Sequence, residues 1–465
     1  MGALVNLVLS CLPHPTVSSA ATLSAAQGAG HDGEDRLSAL PDGLLHEVVA
    51  RLPIRDAVRT ATLSARWRNV WRAAPLVLFD EHISASTKPK HVAAISSVLA
   101  LQLRRPRAEI AQWTRILADR GVENLVLVSL PRPVDLALPA GILRCAKLRR
   151  LYLGFWNFPD TTDIPDGVAD FPELRELAVL AILMEDRDLD RILASSPALE
   201  KLALVMSYRL PKHFCLFGQN LNCVIFYEST AVEDSRIVQG APALKVLGYL
   251  DTRVHQLRFG DNTTVIKLQA GTKASPICRV PSVKILAIKV NFNVFAEVQI
   301  LPNLLRCFPS IEVLHIESAV PDASGDDHNP EFFEEISPIE CVQLHIKKVF
   351  LYKFQGHDSE MAFLKYLVLR AKQMQKLTLV LPYEKLDSEG ENKIGVVLGD
   401  LLDLEWASQA CTVLLLRPAA KLVCCIHRAF DLSIEDPFLL NDGKELFSVI
   451  KRERTGCKLK PEQHG

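Results

Sequence analysis

Few residue sets in this sequence have the types and spacing to do chemistry. Gly28-x-Gly30-x-x-Gly33 spells a glycine-rich phosphate loop, with Asp56 about where a ribose-binding acid would stand. Such a loop cradles a pyrophosphate only when a hydrophobic strand feeds it and a helix opens at its last glycine. An Ala/Ser-rich stretch precedes this one instead. Cys424-Cys425-x-His427 and His213-x-Cys215 set thiols beside an imidazole, without the second ligand pair that a tetrahedral zinc site takes. Glu185-Asp186 pairs two carboxylates where nothing shields them from water. Neither G-x-S-x-G nor G-x-x-x-x-G-K-[ST] occurs. No catalytic residue, cofactor or metal is expected, and the chain reads as non-enzymatic.

The elements around these residues point to binding. The 465 residues are 49% hydrophobic and 23% charged, with 53 Lys+Arg against 54 Asp+Glu. At ~100–200 residues per domain, the length allows two to four domains with cores of their own. The near-neutral balance excludes a chain-wide polycation for nucleic acid. Eleven scattered cysteines without a C-x-x-C pair read as buried thiols in a reducing compartment. The apolar start has no preceding Lys or Arg, and Asn6 stands where myristoylation wants Ser or Thr. The most apolar stretch, Cys411 to Ile426, is broken by Arg417, Pro418 and Lys421, so no membrane contact is expected. A cytoplasmic or nuclear location follows.

Between Asp35 and Pro75 the pattern becomes helical. Pro41 suits a first turn, and Leu44, Leu45, Val48, Val49 and Leu52 then lie on one stripe. Pro53 forces a break before a short helix carrying Ala57, Val58 and Ala61. Ser64 is placed to cap a third helix on which Trp67, Val70, Trp71 and Ala74 share a face. Three helices in about 40 residues cannot hide that much apolar surface. The surplus is covered either by the rest of the chain, as an N-terminal cap, or by a partner.

Asp35-Arg36-Leu37-Ser38-Ala39-Leu40-Pro41 through Val49, Arg51-Leu52-Pro53-Ile54-Arg55-Asp56-Ala57-Val58 and Leu63-Ser64-Ala65-Arg66-Trp67-Arg68-Asn69-Val70-Trp71 together resemble an F-box of the plant form. The resemblance implies docking on the small acidic Skp-type adaptor of a cullin–RING ubiquitin ligase, and through it on the cullin and RING subunits. Adaptor contacts are then expected from Leu40, Pro41, Leu44, Leu45, Val48, Leu52, Pro53, Val58, Leu63, Trp67 and Trp71. Some of these must serve the module's own core, Trp67 first among them. Arg51, Arg55, Arg59, Arg66, Arg68 and Arg72 fit either an acidic partner or a solvated rim.

The middle of the chain repeats itself. Pro172-Glu173-Leu174-Arg175-Glu176-Leu177 recurs from Pro197, Pro242, Pro281 and Pro309, with weaker copies from Arg120, Ala146 and Gln219. A gap between the copies at 242 and 281 calls for an insertion or a worn copy near Thr263. The period and the L-x-x-L-x-L core resemble a leucine-rich repeat of about 20–29 residues. Alternate leucines are expected to face inward from one strand per turn, with polar positions on a concave face and Arg187 to Ser195 returning as a convex helix. Arg149, Arg175, Lys201 and Lys245 make either a basic stripe for a small anion or a solvated strand face. Glu173, Glu176 and Glu200 argue against a strong field.

After an acidic stretch over 321–338, Cys341 to Gly356 reads as an alternating strand through Leu344, Ile346, Val349 and Leu351. Met361, Leu364, Leu367, Val368, Ala371 and Met374 form a helical stripe, and Leu377, Leu379 and Leu381 a closing strand. Lys347 to Gly356, with Glu360 to Leu379 and Ala407 to Leu414, resembles the FBD module, although its usual Trp before the first strand is absent.

The expected organisation is an α/β chain with a small three-helix F-box, a leucine-rich-repeat solenoid of parallel strands with convex helices, and an α/β FBD region continuing or capping it. Its segments are an arm over 1–34, the F-box over 35–75, a linker or helical cap over 76–118 and repeats over 119–320. An acidic linker over 321–338, the FBD over 339–416 and a tail over 417–465 complete it. The implied function is substrate recognition for a ubiquitin ligase, with an unidentified target protein held by the repeats and FBD. The alternatives are a repeat scaffold outside any ligase, or an enzyme with a buried titratable cluster in its concavity.

Overall fold

Every one of the eight repeat copies starts a β-strand four residues downstream. The computed structural model describes residues 37, 39–50, 52, 59–73, 76–78, 114–115, 117–119, 121–128, 137–159, 171–182, 184, 186–205, 213–227, 236–240, 242–251, 256–259, 264–267, 279–319, 330–382, 388–417 and 435–439. The expected arm, the Gly28–Gly33 motif and Cys424 to His427 lie outside them. The chain divides into two compact units, Met1–Arg209 and Leu210–Gly465.

The first unit begins with α1 (Asp42–Ala50) and α2 (Ala65–Ala73). Of the helix expected between them, Arg59 and Thr60 are described, and both are helical. Five parallel strands follow in sequential order: β1 (Leu76–Leu78), β2 (Asn124–Val128), β3 (Arg150–Gly154), β4 (Glu176–Leu180) and, after helix α3 (Asp186–Ala194), β5 (Lys201–Val205). Strand β1 lies in the stretch expected to be a linker or cap, so the sheet begins before the first repeat copy. Register puts the repeat leucines in rows, Leu125 beside Leu151, Leu177 and Leu202, and Leu127 beside Leu153, Val179 and Leu204. Helix α3 closes its repeat with Leu189, Ile192 and Leu193, all buried and spaced i, i+3, i+4.

In the second unit the strands are β6 (His213–Phe217), β7 (Cys223–Tyr227), β8 (Arg236–Gly240), β9 (Val246–Asp251), β10 (Gln256–Phe259), β11 (Thr264–Lys267) and β12 (Ile285–Val290). Helices α4 (Phe295–Val298) and α5 (Ile300–Cys307) lead to β13 (Val313–Ser318), and α6 (Glu340–Leu344) to β14 (Lys348–Tyr352). Helix α7 (Asp358–Arg370), β15 (Lys376–Val380), α8 (Ser388–Leu402) and β16 (Thr412–Leu416) complete the described elements. Strands β7, β9, β12, β13, β14, β15 and β16 pair in parallel in that order. The long step between repeat copies is an insertion: β10 and β11 pair antiparallel and join β8 and β6 in a second sheet. The residues near Thr263 thus make a strand, but of that second sheet.

The FBD strands continue the ladder of the repeats. Leu286, Leu314, Val349, Leu377 and Val413 stand in one row, and Ile288, Ile316, Leu351, Leu379 and Leu415 in another. At each step the carbonyl of the residue before a strand accepts two backbone N–H groups from the next unit. Lys245 O takes Lys284 and Ile285, Lys284 O takes Glu312 and Val313, Glu312 O takes Lys347 and Lys348, and Lys347 O takes Gln375 and Lys376. No single unit buries its own apolar face, so each strand is held by its neighbours.

Three expectations need correction. Cys341 to Gly356 is not one strand: Glu340–Leu344 is helical with Leu344 exposed, and the strand starts at Lys348. A helix this short shows no 3.6-residue period, so its apolar residues mimic alternation. Leu377 to Leu381 does not close the sheet, because β16 pairs beyond it. The acidic stretch is no linker from Pro330 onward, since Phe333 is buried against Phe363 and Tyr366 of α7.

Candidate partner-binding surfaces

The F-box module builds a core of its own and leaves leucines in water. Leu45 and Val49 of α1 pack on Trp67 and Val70 of α2, all buried, with Leu40 against them. Ser64 Oγ accepts the backbone N–H of Trp67 and so caps α2. Pro41 stands just before α1, where its carbonyl accepts from Leu44 and Leu45. Arg66 joins the two helices by donating to Asp42 Oδ1 at 2.8 Å and to Leu40 O at 2.6 Å.

These contacts divide the expected adaptor residues. Leu45 and Trp67 are sealed inside the module, while Leu40, Val48 and Leu52 are half-buried. Pro41 is exposed, and Leu44 and Leu63 keep 54% and 63% of their surface in water. Pro53, Val58 and the side chain of Trp71 lie outside the described residues. Leu37 was quoted only as part of the motif, yet it is 47% exposed. Of six exposed large apolar side chains among the described residues, three belong to this module. Arg59, Arg66 and Arg68 of the expected arginine set are exposed.

Three residues of the expected basic stripe, Arg149, Arg175 and Lys201, pair with carboxylates at or just before the strand starts. Arg149 reaches Glu123 at 3.4 Å and Glu173 at 3.7 Å, and Arg175 meets Glu200 at 2.9 Å. Glu176 takes Arg150 at 3.2 Å and Lys201 at 3.4 Å, and also accepts from the Tyr152 hydroxyl. In the second unit Glu312 sits between Lys284 at 3.3 Å and Lys347 at 2.6 Å. The hydrogen bond from Lys347, with help from Lys284, holds the Glu312 carboxyl below the usual carboxylate range. Alternating charges of this kind fix neighbours and leave little field for an anion.

The polar strand face expected to meet solvent is instead covered in the second unit. Strand residues two apart share a face, so Ala287, His315, Phe350 and Thr378 stand in one row opposite the leucines. His315 is fully buried and stacks on Phe350 with centroids 4.6 Å apart. Residues 435–439, from a tail that had no assigned role, lie over it. His315 Nε2 is 3.1 Å from Asp436 Oδ2, and Nδ1 is 2.9 Å from the Tyr352 hydroxyl. Tyr352 donates to Phe438 O at 2.9 Å, and the Phe438 ring packs edge-on to Tyr249 at 5.1 Å. Gly248 makes room: a Cβ there would overlap that of Ala287 and come within 2.8 Å of the Phe438 ring. His, Tyr and Asp are the residue types of a proton relay, but the imidazole lies between Phe350 and Phe438 with no space for a reacting atom. The signal in the sequence was Asp436-Pro437, a turn opening, followed by an aromatic residue.

Two of the described buried thiols are held in the neutral form. Burial pushes Cys145 up to about 11 and Cys341 up to about 12, so neither forms thiolate near neutrality. Among the described residues no group of three His, Cys, Asp or Glu side chains could hold a metal, and no helix is long and apolar enough to cross a membrane. His213 and Cys215 fall on β6.

Comparison with known proteins agrees with these elements. An F-box domain model matches residues 37–78 and an FBD model residues 334–379. A model of the LRR repeats of FBD-associated F-box protein At5g56370 matches residues 110–239 and 229–316. The chain is an F-box/LRR/FBD protein. Among Arabidopsis thaliana relatives of this family, the putative FBD-associated F-box protein At5g56440 is 24% identical over 81% of this chain and 99% of its own length. The putative F-box/FBD/LRR-repeat protein At3g49030 is 24% identical over 81% of the chain and 94% of its own length. F-box/FBD/LRR-repeat protein At2g04230 is likewise 24% identical, over 81% and 96%. In this F-box/LRR/FBD chain residues beyond the matched FBD span have a structural task. Ser408 Oγ donates to Met374 O at 2.6 Å and Trp406 Nε1 to Leu401 O at 2.9 Å, which ties the approach to β16 onto α8 and the turn before β15.

Proposed function

We propose that this chain is the substrate-recognition subunit of a cullin–RING ubiquitin ligase, docking on a Skp-type adaptor through its F-box. The leucine-rich strands and the FBD hold a target protein. The observation that carries this is the F-box whose own core is closed by Leu45, Val49, Trp67 and Val70 while Leu37, Leu44 and Leu63 remain in water. Exposed leucines on a module this small suit a second polypeptide. The mechanism is proximity: tethering raises a target lysine's concentration near a ubiquitin-loaded enzyme whose chemistry lies on other subunits. Such a role fits a cytoplasmic or nuclear protein that binds neither nucleic acid nor membrane.

The test is recovery of the adaptor by the full chain. Interface hot spots cost at least ~2 kcal/mol on truncation. Joint replacement Pro41→Ala and Leu44→Ala, both exposed, is expected to abolish adaptor recovery while the melting temperature holds. Adaptor recovery at the wild-type level by that double variant counts against the proposal.

A further inference from the structure

Residues 436–438 make a concerted side-chain contact with the His315 face of the second unit. Each part of the segment meets a separate complement. The Asp436 carboxylate takes His315 Nε2, the Phe438 carbonyl takes the Tyr352 hydroxyl, and the Phe438 ring fills the space over Gly248 between Tyr249 and His315. The segment also organises itself. Phe438 N donates to Asp436 Oδ1 at 3.2 Å, and Leu439 N to Asp436 O at 3.4 Å, a turn with Pro437 at its second position. His315 and Asp436 are 121 residues apart in sequence.

We propose that Gly248, Ala287, His315, Phe350 and Tyr352 form a peptide-binding site for a turn of the type acidic–x–aromatic. Residues 436–438 occupy it in cis as a stand-in for a target segment of the same chemistry. This rests on the receptor reading above and names the feature of the target that is recognised. The receptor half is built on paired strands, which hold side chains in place. The occupant comes after the last described strand, nineteen residues beyond Arg417. The hydrogen bonds that join it to the sheet come from the side chains of His315 and Tyr352, as in the capture of a peptide.

Selectivity follows from burial. A segment without the carboxylate would leave His315 Nε2 facing an apolar enclosure with no partner, and one without the ring would leave a void over Gly248. A tethered occupant competes at an effective concentration of about millimolar, so the resident segment masks the site from weak ligands.

The test uses a fluorescent peptide copying residues 433–441 and the full-length chain, read by anisotropy. The Phe438→Ala chain is expected to bind the peptide about tenfold or more tightly than wild type, because its own occupant no longer fills the site. Unlabelled peptide competes, and a peptide with Ala in place of both the Asp and the Phe does not. Adding Tyr352→Phe to the Phe438→Ala chain weakens binding several-fold without unfolding it. A folded Phe438→Ala chain that shows no saturable binding overturns the proposal. So does a Phe438→Ala chain that loses cooperative unfolding, because a segment the fold requires cannot be exchanged for a target. Adaptor recovery by the same chains separates the two readings. Absent peptide binding with normal recovery removes only the peptide site, and absent recovery with normal peptide binding removes only the ligase role.

Discussion

The F-box and the FBD region are both small modules rich in apolar residues, and they treat those residues in opposite ways. In the F-box, four side chains close a minimal core while Leu37, Leu44 and Leu63 stay wet. In the FBD, α7 buries Met361, Phe363, Leu364, Tyr366, Leu367 and Val368, and β14 and β15, followed by β16 beyond the matched residues, pair on from β13. A module that can extend an existing ladder finds cover for its apolar face within the chain. The described F-box helices α1 and α2 leave part of their apolar surface exposed. Exposure, not hydrophobic content, separates the two modules.

Several experiments would break or sharpen that contrast. The largest effect is expected from Phe363→Ala, which empties a site shared with Phe292 and Phe333 and should cost about 3–5 kcal/mol in denaturant unfolding of the second unit. Trp67→Ala should cost a similar amount, with the loss read locally as lost hydrogen-exchange protection in α1 and α2. Leu63→Ala should change stability by no more than about 0.5 kcal/mol yet weaken adaptor binding in calorimetric titration. A large stability loss there would mean that Leu63 is structural and the contrast wrong.

A pH effect comes next. Glu360 is buried at the start of α7, where its Oε2 accepts the N–H groups of Gln355 and His357, and burial raises its pKa above the ordinary 4.5. Between that value and the raised one the folded chain binds more protons than the unfolded chain. Stability therefore falls as pH rises through this window. Melting curves across it should flatten in Glu360→Gln, and an unchanged slope removes the assignment. The smallest effect belongs to the exposed Arg66–Asp42 pair, whose coupling in a double-mutant cycle should be about 0.2–1 kcal/mol.

The repeat strands were legible because they obey a local rule. Eight repeat starts, five of them at a proline, placed eight strands, and Ser64 was legible as a cap because its bond to Trp67 spans three residues. What escaped were contacts between distant segments. Strand β4 is buried throughout, and in the second unit Phe438 covers a face that local alternation assigns to solvent. Ala287 and Gly248 look like weak strand residues until the ring above them is known. In the F-box, spacing put Leu44 and Leu45 on one stripe, and only the packing of α1 on α2 separated the exposed residue from the buried one. Leu344 was misassigned because five helical residues are too few to display a period.

The sequence of ion pairs before the strands carries a further consequence. Lys284, Glu312 and Lys347 come from three successive turns of the chain, and the carboxylate stands between the two ammonium groups. Excising the middle turn would bring lysine against lysine, and exchanging two turns would scramble the alternation. A chain that lost or shuffled a unit would thus set like charges side by side at that junction, a modest penalty for a surface pair.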